Sequence, residues 1–458
     1  MNGQAICLHL LGVVYLCAFS SLLWQVRGLY ARSGILPIRQ FLRSISHVYG
    51  RRRFVEVPTL FWLGTGDGWI LSLAWAGTLL SLLLLADVYP VLILALLFAL
   101  YLSFVSVGQD FLSFQWDRLL LEVSFLAFFF ALQTPPSPLM LLAWWFLLAR
   151  LMWSSGLVKF LSGDPNWRNG KALCFHYETQ PLPNRVAWYM HQLPVWAHQA
   201  STFVMFAVEL LVPFLIFGPF SFRFVAFCVL IFFQILLIVT GNFAFFNLLT
   251  IAMCMPLLSS IVWSNLLATP LGILCDMAGL FFIAINCVQL LRLVWPKQWM
   301  IRFLQTPVVS NISSSYGLFA VMTTERLELV IEGSDDKILW QPYAFRHKPG
   351  RMDRPPTQIA PFQPRLDWQM WFAALRGGWI DPWLRQFLNH LLMGSPHVLA
   401  LLKENPFPVR PPKYLRIGVY RYHFTDRTAR RETGQWWRRV FIGQLPLPED
   451  GLMHPRPL

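Results

Sequence analysis

Gly163–His198 reads GDPNWRNGKALCFHYETQPLPNRVAWYMHQLPVWAH, and long apolar segments flank it on both sides. The stretch is polar, rich in aromatic residues and punctuated by prolines. Irregular backbone of this kind survives at membrane depth only where it packs against protein or water. The alternation therefore predicts a bundle of membrane helices that concentrates its chemistry in one loop.

The composition of the whole chain indicates the same class. The 458 residues are 56% hydrophobic and 13% charged, with a mean hydropathy of +0.50. That is too apolar for a soluble multidomain protein. Apolar runs long enough, or nearly so, to cross a hydrocarbon core of about 30 Å are Ile6–Trp24, Trp69–Ala86, Val91–Val107, Leu139–Leu157, Ala200–Phe217, Phe222–Thr240 and Leu271–Leu293.

Two weaker runs, Leu119–Leu132 and Phe243–Ile261, raise the expected number of spans to between seven and nine, the short ones re-entrant or tilted. The first run lacks a basic segment before it and a small-residue cleavage site after it, which favours a retained span over a cleaved signal peptide. Seven cysteines all precede Pro296 and form no C-x-x-C pair, so neither a redox motif nor a zinc ribbon is indicated.

The pattern changes after residue 295. Residues 1–295 carry a net charge of +5 and residues 296–458 a net charge of +9. A basic surface near a bilayer favours anionic lipid headgroups, although a solvated basic face is the plainer interpretation. No nucleic-acid motif aligns these residues.

Alternating polar and apolar residues predict four strands in this last part, and two further segments look helical. The predicted strands are Arg326–Glu332, Ile338–Arg346, Tyr414–Phe424 and Trp437–Ile442, and the predicted helices are Asp367–Leu375 and Asp381–Leu402. The expected fold is an α-helical polytopic bundle followed by a soluble α+β or β-sandwich-like domain. We place the membrane domain at residues 1–295, with a functional loop at 159–199, and the basic domain at 296–458. The name "central loop" is used below for residues 159–199.

Several blocks of the chain resemble the lipase maturation factor family. They are GDPNWR (163–168), FHYETQPLPN (175–184), AWYMHQLPVW (187–196), NISSSYGLFAVMTTER (311–326), RLDWQMWFAA (365–374), NPFPVRPP (405–412) and QWWRR (435–439). The resemblance implies a membrane-embedded factor that assists the folding or assembly of secreted proteins, homodimeric lipases being the family's known clients. It also implies the endoplasmic reticulum membrane, or the inner membrane in a bacterium. The expected partners are membrane lipid and secreted client proteins, with no nucleic acid.

The side of the membrane that carries the basic domain stays open. Seven arginines between Arg27 and Arg53 favour a cytoplasmic loop, and nine spans would put the basic domain there too. The resemblance instead implies the lumen of the endoplasmic reticulum. Asn311-Ile312-Ser313 fits a glycosylation sequon, but such triplets are common by chance.

The central loop admits three chemical interpretations. His176, Glu178, His191 and His198 are metal-ligand types, but no helical spacing supports a site. If residues 175–179 are extended, His176 and Glu178 share a face and form an acid/base pair, yet no nucleophile motif accompanies them. The third interpretation is structural: Asp164 caps a helix over Trp167–Ala172, and Arg168 pairs with Glu178.

A transport path is a further alternative. Arg150, Lys159 and Glu209 lie in or beside predicted spans, where ionisable residues mark functional sites by default. Lys159 and Arg118 lie near span ends and could instead reach the membrane surface. A helix-packing role for Glu209 and Gln234 is an equal alternative.

We therefore favour a maturation factor, with a membrane enzyme that uses the His176/Glu178 loop or a small-molecule transporter as alternatives. No catalytic residue, metal or cofactor is predicted. The candidate functional residues of the loop are Asp164, Trp167, Arg168, His176, Tyr177, Glu178, Thr179, Gln180, Pro181 and His191. The candidate client-binding residues are Arg365, Asp367, Trp368, Trp371, Trp436 and Trp437.

Overall fold

The computed structural model describes residues 3–267, 269–309, 311–377 and 379–447. Helices dominate the first two thirds of the chain. They are α1 (Gly3–Tyr30), α2 (Ile38–Tyr49), α3 (Arg53–Glu56), α4 (Asp67–Leu85), α5 (Pro90–Val107), α6 (Gln115–Phe130), α7 (Pro138–Leu161), α8 (Pro165–Arg168), α9 (Ala172–Thr179), α10 (Arg185–His191), α11 (Val195–Leu210), α12 (Val212–Leu215), α13 (Phe220–Thr240), α14 (Phe246–Cys254), α15 (Pro270–Val294) and α16 (Gln298–Val309).

Within the described part of the chain, seven helices are long and apolar enough to cross a membrane: α1, α4, α5, α7, α11 continued by α12, α13 and α15. Each covers one of the seven long apolar runs to within two residues of the end of the run, which confirms the prediction of a polytopic helical bundle. The two weaker runs form α6 and α14, and both are short. Helix α6 is buried along most of its length, and α14 packs against α1 and α13.

The bundle end that carries the central loop also carries the C-terminal region. Gln25, near the end of α1, donates a hydrogen bond of 2.8 Å to the backbone oxygen of Gln363. Asn242, just after α13, donates one of 2.9 Å to the backbone oxygen of Thr357 and another of 2.9 Å to that of Leu182 in the central loop. We call this end of the bundle the loop side.

The C-terminal region is an α+β unit around one antiparallel sheet, as expected. Its strands lie in the order β2-β1-β3-β4. Arg326 at the start of β1 pairs with Tyr422 of β3, and Phe424 at the end of β3 pairs with Trp437 of β4. The strands are β1 (Arg326–Ser334), β2 (Gln341–Pro342), β3 (Tyr414–Phe424) and β4 (Trp437–Leu445), and the helices are α17 (Arg365–Leu375), α18 (Pro382–Leu392), α19 (Pro396–Leu399) and α20 (Arg427–Thr433).

Two predicted elements of this region are too long. The strand predicted over Ile338–Arg346 is reduced to Gln341–Pro342, where proline cannot donate to a ladder. The helix predicted over Asp381–Leu402 ends at Leu392, because Gly394 takes a left-handed conformation with φ of 65° and Pro396 follows it. The last strand, by contrast, runs three residues past its predicted end.

A buried ion pair fixes α17 to the membrane bundle. The guanidinium of Arg365 lies 3.0 Å from both carboxylate oxygens of Asp117, at the start of α6. The hydroxyl of Tyr101 donates to the same carboxylate, and Arg365 also donates to the backbone oxygen of Phe111 at 2.6 Å. Both charged side chains are fully buried. Each charge therefore has its compensation inside the protein, which is the condition for burying it at all.

Removing one partner should be costly. We expect Arg365→Ala to destabilise the protein by about 3–5 kcal/mol, because it leaves the Asp117 carboxylate buried without its counter-charge. A lower apparent melting temperature of the purified full-length protein in detergent would show it. Arg351→Ala is the matched control, since the Arg351–Asp353 pair is 75% and 56% exposed, and it should leave the melting temperature unchanged. Equal melting temperatures for both variants would contradict this role of the buried pair.

Candidate functional site

The central loop folds into three short helices, α8, α9 and α10, between the end of α7 and the start of α11. Asp164 caps α8 by accepting the N–H of Asn166 at 2.8 Å, which confirms the predicted cap, although the helix begins at Pro165 and not at Trp167. Asn184 caps α10 in the same way, accepting the N–H of Ala187 at 2.8 Å. Local polar side chains thus start two of the three helices.

Residues 175–179 are helical, so the predicted pairing of His176 with Glu178 is wrong. Two residues apart on a helix, the side chains point to different sides. The ring of His176 packs against the rings of Phe243 and Phe319. Burial, and to a smaller extent the charge of Lys159, lower the pKa of His176 to about 4. The imidazole is therefore neutral at physiological pH and acts as a packed aromatic ring.

The C-terminal end of α9 receives its hydrogen-bond donors from the C-terminal region. Carbonyl groups at a helix end have no partner within the helix. The fully buried Arg326 donates to the backbone oxygens of Glu178 at 2.8 Å, Gln180 at 2.5 Å and Pro181 at 2.9 Å. Trp371 donates from Nε1 to the backbone oxygen of Thr179 at 2.9 Å. Four consecutive carbonyl groups of the loop are thus satisfied by α17 and β1.

Glu178 makes the reciprocal contact, from the loop to the sheet. Its carboxylate accepts the backbone N–H of Phe424, at the end of β3, at 2.7 Å, and lies 3.0 Å from Nδ1 of His423. Nε2 of His191 is 3.6 Å away. Burial lowers the pKa of His191, and Glu178 only partly offsets this effect. The predicted pairing of Arg168 with Glu178 is therefore wrong. Arg168 is exposed, and the carboxylate of Glu178 has other partners.

The start of the central loop binds the segment that precedes β1. The second carboxylate oxygen of Asp164 accepts the N–H of Met322 at 2.6 Å. Trp167 donates from Nε1 to the backbone oxygen of Phe319 at 3.0 Å. Gln180, at the other end of α9, donates to the backbone oxygen of Thr240 at 3.0 Å. The loop is therefore attached to the bundle, to the segment before β1 and to the sheet.

An aromatic cavity of about 480 Å³ lies where these parts meet. Residues from the start of α6, from 317–323 and from α17 surround it, and Pro181 of the loop contributes to its wall. The ring-bearing residues that line it are Phe114, Trp116, Phe243, Phe319, Trp368, Trp371 and Phe372. Its size and apolar lining are typical of sites that take an apolar group.

The six side chains predicted to bind a client are buried in the protein itself. Asp367 accepts the backbone N–H groups of His347 and Lys348, and Trp368 packs edge-on against Trp116. Trp436 and Trp437 form a cluster with Trp188. Arg365 and Trp371 make the contacts described above. None of the six is more than 7% exposed, and direct client contact by these side chains stays a prediction.

Sequence reasoning missed Arg326, Glu328 and His423. Arg326 and Glu328 share one face of β1, where their side chains meet at 2.7 Å, and Lys348 pairs with Glu328 at 2.8 Å. The signal was present in RLELVIE: opposite charges two residues apart in an otherwise apolar strand lie on one face. No comparable signal marks His423, whose partner is 245 residues away.

Two buried ion pairs join charged residues of the membrane bundle. Lys159 of α7 lies 2.6 Å from Glu209 of α11, and both side chains are buried. The alternative in which Lys159 reaches the membrane surface is therefore wrong. Arg150 lies 2.7 Å from Glu122, which also accepts from the hydroxyl of Tyr316. Among the described residues, no group of three or more His, Cys, Asp and Glu is placed to hold a metal ion.

Two family models match the chain and together span both parts of this site. One, for the lipase maturation factor transmembrane domain, matches residues 3–265, and the other, for the lipase maturation factor C-terminal domain, matches residues 312–448. The chain belongs to the lipase maturation factor family. The central loop lies in the first matched region, and Arg326 and His423 lie in the second.

Individual relatives agree with this assignment. The chain is 34% identical to Lipase maturation factor 2 of Gallus gallus, over 94% of this chain and 79% of the relative, and 33% identical to that of Homo sapiens, over 94% and 80%. It is 32% identical to Lipase maturation factor 1 of Mus musculus, over 99% of this chain and 91% of the relative. No solved structure matches the chain.

Glu178→Gln tests the attachment of the loop to the sheet. Charge-assisted hydrogen bonds contribute about 1.5–3 kcal/mol, so we expect the free energy of local opening at Phe424 to fall by about 1–2 kcal/mol, part of the bond being retained by the amide. Hydrogen exchange of the peptide that contains the end of β3 would measure it. Glu404→Gln, at a side chain that is 64% exposed, is the control. Unchanged exchange at Phe424 in the Glu178 variant would refute the contact.

Proposed function

We propose that this chain is a membrane-embedded maturation factor that assists the folding or assembly of secreted proteins, with lipases as its clients. Membership of the lipase maturation factor family across both parts of the chain carries this proposal. The named relatives Lipase maturation factor 1 and 2 support lipases as the client class. A folding factor acts by binding a non-native or unassembled form of its client, which needs no chemical step.

In this proposal the two domains have the predicted boundaries. Residues 1–295 form the membrane domain, with the functional loop at 159–199, and residues 296–458 form the basic domain outside the bilayer. Residues 1–2, 268, 310, 378 and 448–458 of these ranges lie outside the described residues. The proposed location is the endoplasmic reticulum membrane in a eukaryotic cell and the inner membrane in a bacterium.

The loop and the sheet form one platform in this proposal. Arg326 and Trp371 hold the end of α9, and Glu178 holds the end of β3. A surface held in this way is preorganised, so a client does not have to order it on binding. The functional residues proposed in the loop act here by building the platform: Asp164, Trp167, His176, Tyr177, Glu178, Thr179, Gln180, Pro181 and His191.

The aromatic cavity is the client contact that this arrangement favours. Unfolded or unassembled clients expose apolar side chains, and an aromatic cavity takes them with a large gain from burial. Two apolar residues of the cavity wall, Val321 and Leu375, are 67% and 40% exposed. They are accessible from solvent, unlike the buried tryptophans behind them.

Negative charges introduced into the wall of the aromatic cavity by substitution should impair client maturation. We expect the chain to raise the specific activity of a secreted homodimeric lipase, measured as activity per mass secreted, in cells that lack their own maturation factor. Val321→Glu and Leu375→Glu should each lower that gain, because an unpaired carboxylate opposes burial of an apolar client group; a loss of about 2 kcal/mol weakens binding roughly 30-fold.

Val409→Glu is the matched control, since Val409 is 95% exposed and does not line the cavity. It should retain the full gain. No gain with the unmodified chain would refute the proposed function. A full gain with both cavity variants, at unchanged expression, would refute only the cavity as the contact site.

A further inference from the structure

A second pocket, of about 530 Å³, opens between α10 and α20, away from the aromatic cavity. Its lining is Trp188, Tyr189, Arg427, Arg430, Arg431 and Gly434. None of the ion pairs between described residues involves these three arginines. The neighbouring Asp426 uses its carboxylate to cap α20, accepting the N–H of Ala429 at 2.8 Å. The pocket therefore gathers three arginines that form no direct ion pair with another described residue.

Two side chains of this pocket, Arg430 and Trp188, are fixed by packing. The guanidinium of Arg430 lies 3.5 Å from the ring centroid of Trp436 and 4.8 Å from that of Trp188, and it donates to the hydroxyl of Tyr189 at 3.4 Å. Trp188 is 1% exposed, and its indole N–H has no hydrogen-bond partner among the described residues. The guanidinium groups of Arg427, Arg430 and Arg431, gathered in one pocket, match the oxygens of a phosphate group, which arginine binds in a bidentate manner.

The pocket lies next to the beginning of a membrane span. The span formed by α11 and α12 starts at Val195. Side chains on both sides of this point are exposed, among them Tyr189 at 49%, Leu193 at 36%, Val195 at 54% and Trp196 at 71%. Exposed tyrosine and tryptophan at a span end are typical of the headgroup layer of a bilayer. Tyr189 is one of these exposed aromatic residues and also lines the pocket. The pocket therefore opens at the depth of the lipid headgroups.

We propose that this pocket binds the headgroup phosphate of a net-anionic glycerophospholipid. Bound there, the lipid ties α20, and with it β3 and β4, to the membrane surface on the loop side. A zwitterionic choline headgroup is disfavoured, because its cation would approach three arginines that are in no direct ion pair. This site is separate from the proposed client contact and does not depend on it.

Arg427→Gln combined with Arg431→Gln tests the site, because both side chains are exposed and neither is part of the tryptophan stack. The full-length protein in detergent micelles is titrated with phosphatidylserine or with phosphatidylcholine, and bound lipid is counted by native mass spectrometry. We expect the unmodified protein to prefer phosphatidylserine and the double variant to bind it at least about tenfold more weakly, since each basic residue near an anionic surface contributes about 1 kcal/mol.

Arg385→Gln combined with Lys413→Gln removes the same charge from exposed positions outside the pocket and should leave the affinity unchanged. Equal binding of the two lipids, unchanged binding by the pocket variant, or an equal loss in the control variant would each overturn the proposal. Complete displacement of phosphatidylserine by an equal concentration of inorganic phosphate would assign the pocket to free phosphate and not to a lipid.

Discussion

The four consecutive carbonyl groups of residues 178–181, at the end of α9 and just after it, require hydrogen-bond donors. Arg326 and Trp371 supply these donors from the C-terminal region. An unpaired buried carbonyl costs about 1–3 kcal/mol, so the central loop keeps its shape only when β1 and α17 are in place. In the opposite direction, the carboxylate of Glu178 in the loop holds the end of β3 by accepting the backbone N–H of Phe424. The loop and the sheet are thus one structural unit, although the residues that join them are nearly 150 or more positions apart in the sequence.

The same rule governs charge in the membrane bundle. Arg365 with Asp117, Arg150 with Glu122 and Lys159 with Glu209 are each buried and in direct contact. Pairing of this kind lets a lipid-embedded protein hold ionisable residues without exposing them to hydrocarbon. Removing one partner of a buried pair lowers the stability by far more than the intact pair adds to it, because the other charge is left buried and unpaired. Arrangements that separate the partners are therefore disfavoured, and the pairs specify how helices and domains meet. Between Arg365 and Asp117, the pair specifies where the C-terminal region sits on the bundle.

Hydropathy predicted the seven long spans because the length and composition of a helix are local properties of the sequence. The α+β nature of the last third and the Asp164 cap were predictable for the same reason. Features that depend on distant partners were not predictable from local sequence. Whether residues 175–179 are extended or helical depends on Arg326, which caps a helix there. The tryptophans at 368, 371, 436 and 437 have partners far away in the chain, such as Trp116 and Thr179, and no local signal shows that these partners bury them.

Direct contact with a secreted client requires the platform to face the compartment in which such clients fold. Val409 is 95% exposed on the C-terminal region, so Val409→Cys, in a background without the seven native cysteines, reports its side directly. Sealed vesicles of known orientation are treated with a membrane-impermeant thiol reagent. Labelling from the lumenal or extracytoplasmic side is the predicted result. Labelling from the cytoplasmic side alone would contradict direct contact between this platform and a secreted client.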